Sequence, residues 1–266
     1  MILQRQLPAL LLIQGSVTAP APEGKRMTRS TERSSMLFLG RADDARSDRA
    51  MAFCQANFGE LTVFLSSEGL AFPDEARSWH GDYVVSYLSR WIVPIEVLTA
   101  ARVAAINFHP GPPEYPGTGC VNFALYEEAP LYGVTCHHME PAVDSGEIVA
   151  VRRFPILSSD TVASLLARTH DHLLILFYET TSEIAAGRPL PRTSAVWTRK
   201  PFTRKELNDL SRITPDMDLE ELSKRIRATD YPPWRPVLEM GSYCFEFKGT
   251  MRKSHGPMRP VLNASP

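Results

Sequence analysis

The chain has 266 residues, of which 44% are apolar and 22% charged, with a formal net charge of −1. That size suits one large domain, or one domain with a small appendage, and the charge gives no support for a whole-protein nucleic-acid or membrane surface. Cys54, Cys120, Cys136 and Cys244 are widely scattered with no C-x-x-C pair, which suits reduced thiols better than a disulfide framework. No apolar run reaches the roughly 18 residues a membrane span requires.

Residues 1–35 stand apart. Leu7–Ile13 is apolar and Ala-Pro-Ala-Pro follows at 19–22, an arrangement that admits a signal peptide. Against that reading, only Arg5 charges the first residues, the apolar stretch is short, and Pro8 interrupts it. The expectation is a disordered extension, or a start codon upstream of the true one at Met27 or Met36.

From Met36 the pattern becomes regular. Met36–Gly40, Leu61–Leu65 and Asp82–Tyr87 read as buried strands, with a helix over Asp43–Phe58 that puts Ala50, Met51, Phe53 and Cys54 on one side. Pro94 opens a helix through Ala101. Arg102–Asn107 is a fourth strand, delivering Asn107 and His109 at its C-terminal end. The alternation predicts an α/β fold: a Rossmann-like, mostly parallel sheet with helices on both faces. Ligands of such sheets bind beyond the carboxyl ends of the strands, which is where Asn107 and His109 fall. A helix over Cys120–Glu127 and strands over Tyr132–Met139 and Gly146–Phe154 follow. A long amphipathic helix spans Thr161–Ala186, capped by Ser159-Asp160 and stopped by Gly187. Pro189 and Pro191 mark a boundary, giving a catalytic domain over 36–190 and a small mixed C-terminal subdomain over 191–266. The latter is expected to hold one helix (Leu219–Thr229), the loop Tyr231-Pro-Pro-Trp-Arg-Pro236 and a strand over Ser242–Lys248.

Two segments carry the chemistry: Asn107-Phe-His-Pro-Gly-Pro-Pro-Glu-Tyr-Pro-Gly117 and Gly133-Val-Thr-Cys-His-His-Met-Glu-Pro-Ala-Val-Asp-Ser-Gly146. Asn107 and His109 are two apart, so in an extended chain they share a side. The following Pro/Gly run is stiff, which suggests preorganisation, though it equally suits a tight surface turn. An amide, an imidazole and a carboxylate (Asp144) can stabilise an oxyanion and move a proton, as transfer of a one-carbon acyl group to an amine requires. A three-ligand zinc set of His109, Asp144 and one of His137 and His138 is the competing reading; adjacent histidines on a strand face opposite ways, so only one can join. Asp144-Ser-Gly146 can also be a plain turn.

These segments resemble the folate-dependent formyltransferases. The residues that carry the resemblance are Asn107-Phe-His109, the loop Pro110–Gly117, Gly133-Val-Thr-Cys-His137 and Asp144-Ser-Gly146, with Ser86–Pro94 similar to the family's pterin-contacting loop. The likeness runs from about Met36 to Pro189. The loop after His109 is one residue shorter than in many members and lacks their Arg. The resemblance implies a transferase with N10-formyltetrahydrofolate as co-substrate and no metal. It implies that Asn107 and His109 bind the oxyanion and that Asp144 orients His109 or a water. Leu88, Trp91, Ile92, Val93, Met139 and Val143 would contact the cofactor, and Tyr115, Gly117, His137 and Trp234 the acceptor.

The acceptor must be read from residues 191–266, which hold 14 Lys/Arg against 9 Asp/Glu. That local excess suits a diphosphate, a tRNA backbone or a solvated surface. Trp197, Trp234, Tyr243, Phe245 and Phe247 can stack on a base or sugar, or pack the subdomain onto the core. The resemblance leans to the sugar-modifying members: an amine on a nucleotide-linked sugar such as GDP-perosamine, for O-antigen synthesis. The scattered cysteines, the net charge and the missing apolar run suit a cytoplasmic protein without nucleic-acid partner or membrane insertion, and the resemblance admits a homodimer. Methionyl-tRNA formylation, and an inactive folate-binding or sensor protein, stand as alternatives.

Overall fold

A computed structural model describes residues 33–246. The expectations for residues 1–32, Phe247 and Lys248 fall outside the described residues. Strands β1 (Met36–Arg41), β2 (Leu61–Ser66), β3 (Gly81–Tyr87), β4 (Ala101–His109), β5 (Leu131–His138) and β6 (Ile148–Pro155) form one sheet in the order β2-β1-β3-β4-β5-β6. The first four strands run parallel, while β5 and β6 each pair antiparallel. Because β2 lies on one side of β1 and β3 on the other, the winding reverses between β1 and β3. A crevice opens at the carboxyl ends of strands at such a reversal.

Alternation along β1 divides the core. Met36 and Phe38 face the cluster under α1 (Ala45–Asn57) and α5 (Val162–Ala185); Leu37 and Leu39 face a smaller one with Val97 and Leu98 of α3 (Ile95–Thr99). Strands buried on both faces read as continuous apolar runs, which is why the first strands were legible. Phe177 of α5 is fully buried and meets Phe38, Phe53, Tyr87 and Phe108 with ring centroids 5.0–6.4 Å apart. Burying one such ring contributes about 1.5–3 kcal/mol, so this helix fixes β4 from below. Its N-cap is Thr161, in a capping box with Ser164, rather than Ser159-Asp160. Asp160 instead accepts from Leu157 N, Ser164 Oγ and Arg168. Gly187, at φ +67, ends the helix as expected.

After α4 (Cys120–Tyr126) and α5, the chain continues into α6 (Arg204–Ser211) and α7 (Leu219–Thr229) and a second sheet of β7 (Arg212–Ile213), β8 (Val237–Met240) and β9 (Tyr243–Glu246). The sequence reading missed the short α2 (Asp74–Arg77), α6, β7 and β8. For α6 a signal existed: Thr203 and Glu206 form a capping box. The C-terminal elements dock on α4. Asn122 Nδ2 donates to Ala228 O at 2.7 Å, and Phe123 stacks on Phe202 with centroids 3.7 Å apart.

Candidate active site

Strand β4 extends to His109, two residues past its expected end, and pairs antiparallel with β5 so that Asn107 lies opposite His137. Cross-strand neighbours have Cβ atoms about 5 Å apart, and here Asn107 Nδ2 is 3.1 Å from His137 Nε2. His137 Nδ1 donates to its neighbour's carbonyl, His138 O, at 2.8 Å. His137 Nε2 is shared between the Asn107 amide and Asp144 Oδ1, 3.3 Å away, and the second Asn107 N–H has no partner among the described residues. His137 lines the cleft and His138 does not.

Asp144 enters from the β5–β6 loop at φ +45, a left-handed conformation that Asp tolerates better than most side chains. Its Oδ2 accepts the Gly117 N–H at 2.7 Å and lies 3.2 Å from His109 Nδ1; its Oδ1 lies 3.3 Å from His137 Nε2. The other His109 nitrogen, Nε2, sits 3.1 Å from Tyr115 O. Both ring nitrogens therefore face oxygen acceptors, the arrangement of a doubly protonated imidazolium. Burial opposes charge on His109, but Asp144, Cys120 and the Tyr115 carbonyl outweigh it and raise the imidazole to about 10. Burial also opposes charge on Asp144; His109, His137 and the Gly117 N–H overcome it and hold the carboxyl down at about 2. The result is a buried ion pair.

The loop after His109 is shaped around this pair. A Cβ at Gly111 would lie 2.6 Å from His109 Nε2. Gly117 adopts φ +88, and a Cβ there would lie 2.4 Å from Phe202 O. Residues 198–202 clasp the loop by Thr198 N→Pro113 O at 3.2 Å, Phe202 N→Pro116 O at 2.9 Å and Thr118 N→Phe202 O at 2.9 Å. The same segment sets Trp197 edge-on against His109 and His137, with centroids 5.9 and 5.1 Å away, and its Nε1 donates to Gly146 O at 2.8 Å. The sequence marked Trp197 as an acceptor stack or packing residue; its contact with both imidazoles carried no local signal. Among the described residues no group of three or more His, Cys, Asp or Glu side chains is arranged to hold a metal ion.

A cleft of about 590 Å³ opens beside Asn107, His109, His137 and Asp144. Leu88, Trp91, Ile92, Val93, Met139 and Val143 all line it, as does Gly117. An apolar wall facing the 139–143 backbone fits a flat heteroaromatic ring with a polar edge. Two acceptor expectations require correction. The Tyr115 side chain is buried in the core, its hydroxyl donating to Glu127 Oε2 at 2.8 Å, and only its carbonyl reaches the site. Trp234 does not line the cleft; it packs on the core with the Arg204 guanidinium 4.9 Å from its ring. Arg41, Arg90 and His170 line the cleft but were not singled out, since nothing local marks an isolated Arg or a helical His.

A doubly wound α/β sheet here gathers an amide, two imidazoles and one carboxylate beside an apolar cleft, groups able to move a proton and to stabilise negative charge. Residues 67–181 match the formyl transferase family. It is 30% identical over 128 residues to a methionyl-tRNA formyltransferase of Levilactobacillus brevis, covering 47% of this chain and 41% of that one. It is 25% identical over 168 residues to the GDP-perosamine N-formyltransferase of Brucella melitensis, covering 63% and 64%. The chain thus spans less than two thirds of either relative. In fold it is similar to an N-formyltransferase of Helicobacter canadensis solved with folinic acid and dTDP-3-aminofucose, with TM-score 0.63, 16% identity and coverage of 78% and 84%.

Proposed function

We propose that the protein moves a formyl group from N10-formyltetrahydrofolate to the amine of a nucleotide-linked amino sugar. The convergence of Asn107, His109, His137 and Asp144 beside the apolar cleft carries this reading. The co-substrate supplies a formyl group on a good leaving nitrogen, and Leu88, Trp91, Ile92, Val93, Met139 and Val143 hold its ring system.

The acceptor's neutral amine forms a bond to the formyl carbon, and the formyl oxygen takes up the negative charge. The free N–H of Asn107 donates to that oxygen. His109 acts through its charge, because Asp144 and the Tyr115 carbonyl already engage both ring nitrogens. The carbon–nitrogen bond to folate then breaks, and the amine's proton ends on the departing nitrogen. Asp144, with His137, orients the water or amine through which that proton passes.

The Brucella relative supports GDP-perosamine as the acceptor. The free thiols of the chain suit the cytoplasm. The test is formyl transfer to a panel of GDP-, dTDP- and UDP-amino sugars and to charged initiator tRNA. Transfer to an amino sugar is the expected result; transfer to the tRNA alone overturns the sugar reading. Folate binding with no transfer to any acceptor overturns the enzyme reading.

A further inference from the structure

The cleft does not end at Asn107 and His109. It continues to the β1/β3 reversal, where Arg41 ends β1 and Ser66 is its register partner on β2. Ser66 Oγ donates to Gly40 O at 2.9 Å and accepts the Arg90 N–H at 2.9 Å. One buried hydroxyl therefore ties the loop bearing Arg90 to the strand end bearing Arg41.

These two arginines differ from their neighbours. Arg46, Arg77, Arg102, Arg152, Arg153 and Arg168 each meet a carboxylate. Arg41 and Arg90 have no ion-pair partner among the described residues, and both line the cleft. Asp44, which acts on His170 together with Arg41, is committed to capping α1, accepting from Arg46 N at 3.0 Å and Ser47 N at 2.9 Å. His170, reaching the same end of the cleft from α5, is held down at about 4 by burial, with Arg41 and Arg46 adding to that effect and Asp44 opposing it. It is a neutral imidazole there, able to donate one N–H. Nearby, the fully buried Tyr87 hydroxyl has no hydrogen-bond partner.

Two guanidinium forks without counter-ions, at the crevice of a doubly wound sheet, suit phosphate oxygens in geometry and charge. We propose that Arg41 and Arg90, with His170, form a diphosphate subsite that holds a nucleotide-linked acceptor while its amine reaches Asn107. The proposal rests on the amino-sugar reading above and names the groups that would select for the nucleotide.

Steady-state kinetics of Arg41→Gln, Arg90→Gln and the double variant test it, together with calorimetric binding of inorganic pyrophosphate. Neither guanidinium supports a described side-chain bond, so the variants should fold as wild type, checked by thermal melting. In the double variant the acceptor KM is expected to rise at least tenfold, kcat to fall by less than KM rises, and the formylfolate KM to stay within twofold. Pyrophosphate should bind the wild type, compete with acceptor, and be lost from the double variant. Unchanged acceptor KM and pyrophosphate affinity overturn the proposal. A rise confined to the formylfolate KM overturns it too, assigning the cations to folate's glutamate. If no amino sugar is formylated while pyrophosphate still binds wild type and not the double variant, the subsite stands and the acceptor reading falls.

Discussion

The floor of the cleft and its apolar wall are built on opposite principles. His109, His137 and Asp144 are 3–7% exposed and bonded to one another and to the Pro110–Gly117 loop. On the wall, Ile92 is 71% exposed and Val143 46%. The polar groups are fixed before anything binds, as electrostatic preorganisation would require. The wall carries unburied apolar surface, whose favourable burial waits for a ligand. Substitutions on the floor should therefore cost turnover, and substitutions on the wall affinity.

The sharpest break is expected at Asp144. Asp144→Asn should lower kcat about 10³-fold and let His109 titrate closer to its ordinary value, followed by imidazole NMR. In the wild type the signs differ for the two partners. Asp144 is depressed on folding, so its contribution is lost as pH falls towards about 2. His109 is raised, so its contribution is lost as pH rises towards about 10. Stability from the pair should be fullest between about pH 4 and pH 6.5. A melting temperature that follows the same pH curve in wild type and Asp144→Asn would contradict this pairing.

Next comes Asn107→Ala, expected to reduce kcat about 10²–10³-fold with little change in formylfolate KM. A loss seen only in KM would place the amide in ground-state binding. Gly117→Ala tests whether the floor depends on its clasp. A left-handed Ala and a Cβ against Phe202 O should together lower stability by about 2–4 kcal/mol, read by denaturant melts. The smallest effect belongs to the wall: Ile92→Ser should raise formylfolate KM about 3- to 10-fold and leave the melting temperature unchanged. A fall in kcat matching that of Asn107→Ala would erase the distinction between the two regions.

What the sequence disclosed follows the same division. Strands β1 to β4 were legible because burial on both faces leaves short apolar runs, such as Met36–Leu39, Val84–Val85 and Ala104–Ile106, and Asn107 with His109 because side chains two apart share a side. The apolar wall came from a resemblance rather than periodicity, since Leu88–Val93 lies in a loop. Tyr115 was misread because a loop tyrosine's direction depends on Glu127, Phe202 and Tyr132, which only tertiary structure brings near. The contact of Trp197 with both imidazoles and the unpaired state of Arg41 left no local mark for a similar reason: an edge-on contact and a missing counter-ion are relations between distant residues.

The clasp formed by residues 197–202 also bears on how the protein is made. Asn107, His109, His137 and Asp144 all leave the ribosome well before Trp197 and Phe202, so during synthesis the four groups exist without the segment that holds the loop and covers the imidazoles. Contacts between positions some eighty residues apart close late, because chain entropy must be lost before they form. A nascent chain arrested with α5 emerged but residues 197–202 still inside the ribosome should carry a folded sheet without the formyl transfer proposed above, and that activity should appear in a single step as the clasp emerges.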